Sequence, residues 1–137
     1  MEMKSEELKR RTKEFGLRVF KLVGTLPGTT EVLRRQLLRC ATSVGANYRA
    51  ACRARSQADF VSKIGIAEEE VDEAAYWLEF LVEADVVNGS TVASLLKEAN
   101  ELTAILTASE KTAKRNHKVT GSRVVEVANR QSSIVNS

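Results

Sequence analysis

The apolar residues of this chain fall into four runs that repeat at alternating intervals of three and four, a spacing that commits each run to an amphipathic helix. The first run, roughly residues 5–23, aligns Leu8, Thr12, Phe15, Val19 and Leu22. The second, roughly 30–55, aligns Leu33, Leu37, Cys40, Val44, Asn47, Ala51 and Ala54. The third, about 57–85, carries Phe60, Ile64, Ala67, Val71, Ala74 or Ala75, Leu78 and Val82. The fourth, about 91–113, carries Val92, Leu95, Ala99, Leu102, Leu106, Ser109 and Ala113. "LPGTT" separates the first two runs, with Thr29 or Thr30 able to cap the second helix, and "NGS" at 88–90 reads as a turn with a serine cap. Strand-like alternation is scarce and Pro27 is the only proline.

Helices of about 19–29 residues with short connections pack as antiparallel neighbours. The expected fold is therefore all-α, an antiparallel up-down four-helix bundle over residues 1–114. From "KRNHKVTGSR" onward the apolar pattern collapses, so residues 115–137 are expected to form a polar, mostly disordered tail. No run approaches the ~20 apolar residues of a membrane span, and no secretory h-region opens the chain. Two cysteines, Cys40 and Cys52, cannot meet if both ride one helix, which fits a reducing cytoplasm.

Charge is unevenly placed. Residues 1–57 hold thirteen Lys and Arg against five acids, whereas residues 58–90 hold one Lys against nine acids. The stretch "RRQLLRCATSVGANYRAACRAR" at 34–55 has six arginines and no acid; "EEEVDE" follows at 68–73. At ~100° per residue, Arg34, Arg35, Arg39, Arg49 and Arg53 face away from the second seam, outside the bundle core. Such asymmetry points to partners or assembly, with a solvated basic face as the plain alternative.

Between the arginines and the seam lie Leu38, Ala41, Gly45, Tyr48 and Cys52, which widen the apolar or small-residue face to roughly 200°, against the ~100° a bundle helix needs. Ala41 and Gly45 would let another backbone come close, and Tyr48 fits either core or interface. On the third helix Ile66, Glu70, Glu73, Trp77 and Phe80 form a second line away from the acids Glu68, Glu69, Asp72, Glu79 and Glu83. This surplus favours a homo-oligomer, with Leu38, Gly45, Tyr48, Ile66, Trp77 and Phe80 at its interface.

Enzyme chemistry finds little footing. His117 is the only histidine and lies in the expected tail; the seams hold no carboxylate for a di-iron site. Cys40 on an apolar seam lacks a base, and no phosphate loop or zinc spacing is present. "EEEVDE" reads as a solvated acidic face. Asn47 is the polar exception in the second seam and needs the Ser43 hydroxyl, a backbone carbonyl or the third helix as a partner.

The stretch "QLLRCATSVGANYRAACRARSQADFVSKIGIAEEEVDEAAYWLEFL" resembles the bacterial four-helix-bundle proteins encoded by intervening sequences in 23S ribosomal RNA genes, themselves similar to accessory variability proteins of diversity-generating retroelements. The matching positions are Gln36, Arg39, Ala41, Ser43, Val44 and Asn47, then Phe60, Ile64, Ala67, Glu70 and Glu73, then "YWLEFL" at 76–81. Where many members follow the Asn with Ala-Glu-Gly, this chain reads Tyr48, Arg49, Ala50, Ala51, so no role of that acid carries over. The resemblance implies a homopentamer, no cofactor and no established enzymatic activity. In the retroelement branch it implies a basic surface that holds a reverse transcriptase and its RNA.

The leading expectation is a non-enzymatic homo-oligomer that binds RNA without base specificity. Arg34, Arg35, Arg39, Arg49 and Arg53, with Lys9, Arg10, Arg11 and Lys13 of the first helix, would contact phosphates. The alternative is an accessory or scaffold whose basic face docks a partner enzyme such as a reverse transcriptase. In a third reading the arginines pair with the acidic face of the next subunit.

Overall fold

The computed structural model describes the backbone of residues 4–135 and the side chains of residues 4–116. Within those bounds the chain forms α1 (Ser5–Val23), a 3-10 turn (Gly28–Thr30), α2 (Glu31–Cys52), α3 (Gln57–Glu83) and α4 (Gly89–Val135). Consecutive helices are neighbours: α2 packs between α1 and α3, α4 lies along α3, and a thinner α1–α4 contact completes the four-helix bundle. The direction is antiparallel, since Gly16 sits against Ala41 and Thr42 while Gly45 sits against Thr12 and Lys13.

The four seams meet on the bundle axis. Phe15, Val19, Leu37, Val44, Ile64, Leu78, Leu102 and Leu106 are fully enclosed, each such side chain contributing about 1.5–3 kcal/mol through burial. Thr12 is enclosed with them, and its hydroxyl donates to the Leu8 carbonyl at 2.9 Å. Asn47 is partly buried and donates through Nδ2 to the Ser43 backbone carbonyl at 2.9 Å. A polar side chain in the seam is thus satisfied within its own helix.

The helix ends differ from the sequence expectation in two places. Thr30 occupies the α2 N-cap position, yet its hydroxyl donates to the Pro27 carbonyl at 2.5 Å and leaves the helix amides uncapped by a side chain. Ser90 falls inside the first turn of α4 instead of preceding it. A side-chain cap is present on α3, where the Ser56 hydroxyl accepts from the Asp59 amide at 3.0 Å. That helix ends with Asp85 in the left-handed conformation (φ 60°), and the Val86 amide reaches back to the Leu81 carbonyl at 2.9 Å.

The last buried side chain of α4 among the described residues is Ala113, and its backbone is helical to Val135; residues 136 and 137 lie outside the described residues. Residues 115–135 contain no proline and a single glycine, Gly121. Loss of an apolar seam removes a reason to pack, not the capacity to be helical.

Candidate functional site

Gly16 and Gly45 set the closest approach of α1 to α2. A Cβ at Gly45 would stand 3.2 Å from the Lys13 amide nitrogen, and one at Gly16 would stand 3.3 Å from the Ala41 carbonyl oxygen. The two backbones therefore nearly touch, and the outer side of their junction is a trough with a bare floor. This groove, about 760 Å³, is lined by Lys9, Arg10 and Lys13 from α1 and by Arg49 of α2 and Arg53 just past its end, with Glu6 as its one acidic residue. Lys9 pairs with Glu6 at 3.0 Å and Arg10 with Glu14 at 2.9 Å, exposed same-helix pairs of little energetic weight. Lys13, Arg49 and Arg53 make no ion pair among the described residues.

The remaining cations singled out in the sequence are not in this groove. Arg11 turns toward α4, where Nη2 bonds Glu101 at 2.9 Å and the guanidinium also bonds Glu98; its side chain is only 16% exposed. Arg35 pairs with Glu31 one turn back at 2.6 Å. Arg39 lies at the flank of α2 nearest α3 and bridges Glu70 at 3.3 Å and Glu73 at 3.0 Å. The sequence reading leaves Arg39 free to meet a partner; it is instead half of an ion-pair system within the chain, at the surface and not in the core. Arg34 is partly buried, with a solvent-excluded Nε that has no hydrogen-bond partner.

The expected oligomer residues also divide. Gly45 packs against α1 of the same chain and lines the groove with its open side, and Tyr48 is 6% exposed within the core cluster. Leu38 and Trp77 are partly buried against that core, and Ile66 is partly buried on α3. Phe80 remains 39% exposed, beside Tyr76 at 55%, and its ring lies 5.8 Å from Trp77 and 6.3 Å from Tyr76.

Cys40, Glu70 and Glu73 bring their ligand atoms within 4.8 Å of one another. The carboxylates already hold the Arg39 guanidinium, and burial pushes the Cys40 thiol up to about 12, so this cluster acts as an ion pair beside an inert thiol. His117 falls outside the residues whose side chains are described.

The 23S rRNA-intervening sequence protein family matches residues 4–108, most of the chain, from the start of α1 into the first part of α4. The chain belongs to that family. Among solved structures it is similar to a protein of unknown function from the S23 ribosomal protein family of Bacteroides thetaiotaomicron, with 34% identity and a TM-score of 0.74. That match covers 80% of this chain and 99% of the other. No curated protein matches significantly.

Every groove residue lies inside the family-matched span. Among the groove residues that sequence reasoning missed are its exposed apolar side chains, Leu17 and Phe20, which are 53% and 61% exposed in the lining. The signal was present: Arg10, Lys13, Leu17 and Phe20 recur at spacings of three and four opposite the first seam. Val32 and Tyr76 were likewise unassigned exposed apolar residues.

Proposed function

We propose that this protein is a non-enzymatic, homo-oligomeric four-helix bundle that associates with RNA through the groove between α1 and α2. The observation that carries this reading is the convergence of Lys9, Arg10, Lys13, Arg49 and Arg53 on one trough with a single acid, Glu6, among its lining. Contacts of these cations to phosphates are sequence-independent and weaken steeply with salt. Two free cysteines, one buried, suit the reducing cytoplasm.

The exposed aromatic pair Tyr76 and Phe80 supports self-association, because side chains of that size are seldom left in water together. The homopentamer implied by the family resemblance would cover such a patch and present the groove five times. Avidity then raises the affinity for a long RNA without any new contact. In the accessory-protein alternative, including the retroelement branch of the resemblance, the same groove docks an acidic enzyme surface.

Reversing three charges, Lys13, Arg49 and Arg53 to Glu, separates these readings, with Lys97→Glu on α4 as a control. RNA affinity in a mobility-shift titration is expected to collapse for the triple variant and to persist for the control, while light scattering shows an unchanged mass near five times 15.1 kDa. RNA binding that survives the triple reversal, or is absent from the wild type at low salt, removes the RNA reading.

A further inference from the structure

We infer that the groove takes its RNA as a single strand, with an unpaired base laid on the ring of Phe20. This rests on the RNA reading above and narrows it to a class of ligand. Phe20 is the most exposed aromatic among the described residues and stands in the same lining as the five cations. The other exposed aromatics, Tyr76 and Phe80, share α3 with the exposed acids Glu69, Asp72, Glu79 and Glu83, a field that repels a phosphate chain. The bundle thus keeps one exposed aromatic on its basic side.

The shape of the trough gives that ring a purpose. Its floor is helix backbone at Gly16 and Gly45, so a strand can sink between Lys13 on one wall and Arg49 and Arg53 on the other. A duplex satisfies the cations but not the ring, because its bases face inward and its deep major groove admits no side chain. A single strand satisfies both, with phosphates on the cations and a base face on Phe20. The protons of the nearby hydroxyls are already committed: Thr42 donates to the Leu38 carbonyl at 2.8 Å and Thr12 to the Leu8 carbonyl. Stacking therefore governs base preference, and adenine, with the larger face, binds better than uracil.

The test is fluorescence anisotropy with labelled oligoadenylate, oligouridylate and a duplex RNA of equal length at one fixed salt concentration. Wild type is expected to favour the single strands, oligoadenylate first. Phe20→Ala, an exposed change that leaves the core intact, is expected to weaken single-strand binding roughly 5- to 150-fold, the range for one lost base–aromatic stack. Duplex affinity should not change, and Phe20→Trp should restore the preference. If Phe20→Ala leaves single-strand affinity intact while the triple charge reversal abolishes binding, the stacking inference falls and the RNA reading stands. If neither variant alters RNA binding, both fall. If Phe20→Ala lowers the mass in light scattering, Phe20 is a subunit contact and the inference falls.

Discussion

Replacing Gly45 and Gly65 separately with alanine isolates the α1–α2 contact that builds the groove. Both glycines lie inside helices, where alanine is favoured over glycine by about 1 kcal/mol. At Gly65 an added Cβ meets Glu110 Oε1 at 3.7 Å, an ordinary contact. Gly65→Ala is therefore expected to stabilise by about 0.5–1 kcal/mol. At Gly45 the Cβ meets the Lys13 nitrogen at 3.2 Å and the Lys13 Cα and Thr12 carbonyl carbon at 3.3 Å. Those atoms are helix backbone and cannot swing aside, so α1 must shift, and overpacking of this kind costs about 1–3 kcal/mol. Gly45→Ala then falls between neutral and about 2 kcal/mol destabilising. The two variants separate by about 1–3 kcal/mol, at about 4 °C of melting temperature per kcal/mol for a chain of this size. Urea unfolding followed by far-UV circular dichroism, at one protein concentration, reads this difference. Equal stabilisation by both alanines would mean that α1 does not approach α2 at Gly45, and the bare-floored groove would go with it.

Two further outcomes follow from the packing. Arg11→Met removes the guanidinium that joins α1 to Glu98 and Glu101 and is expected to cost about 1–3 kcal/mol at neutral pH. The hydrogen bond from Arg11 holds the Glu98 carboxyl below the usual carboxylate range, so its contribution is full above the unfolded value of about 4.3 and fades as pH falls through the folded one. Wild type and variant should therefore draw together on acidification; a gap of unchanged size across the acid range would refute this. Native alkylation with iodoacetamide at neutral pH should mark the partly exposed Cys52 and spare Cys40, whose thiol burial pushes up to about 12. Prompt Cys40 labelling in the folded protein, read by mass spectrometry, would contradict its placement.

The fold was legible because a buried stripe has to repeat with the helical period. Leu8, Thr12, Phe15, Val19 and Leu22 were readable as one line and are buried as one line. Helix termini were less legible: Thr30 has the chemistry of a cap, but its hydroxyl is taken by Pro27. For the site, a helical wheel gives the direction of a side chain but not which helix stands there. Gly45 was rightly read as a place of close backbone approach, yet the backbone is that of α1 in the same chain. Arg39 points away from the core, yet a long side chain at the flank reaches Glu70 and Glu73 across the α2–α3 junction. Only Arg49 of the second helix and Arg53 just past its end share the groove with the first-helix cations, and pairing of helices decides that.

The salt dependence of RNA affinity tests the central claim most directly. Each phosphate held on a single strand releases about 0.7 counterion. The five groove cations therefore give a slope of log affinity against log salt near −3.5 per protomer on a short oligonucleotide, at about 0.7 per cation. Neutralising Lys13, Arg49 and Arg53 together with Gln should reduce the magnitude of that slope by about 2 and leave the fold intact. A slope and an affinity that match the wild type in this variant would place RNA elsewhere on the molecule and contradict the groove as its site.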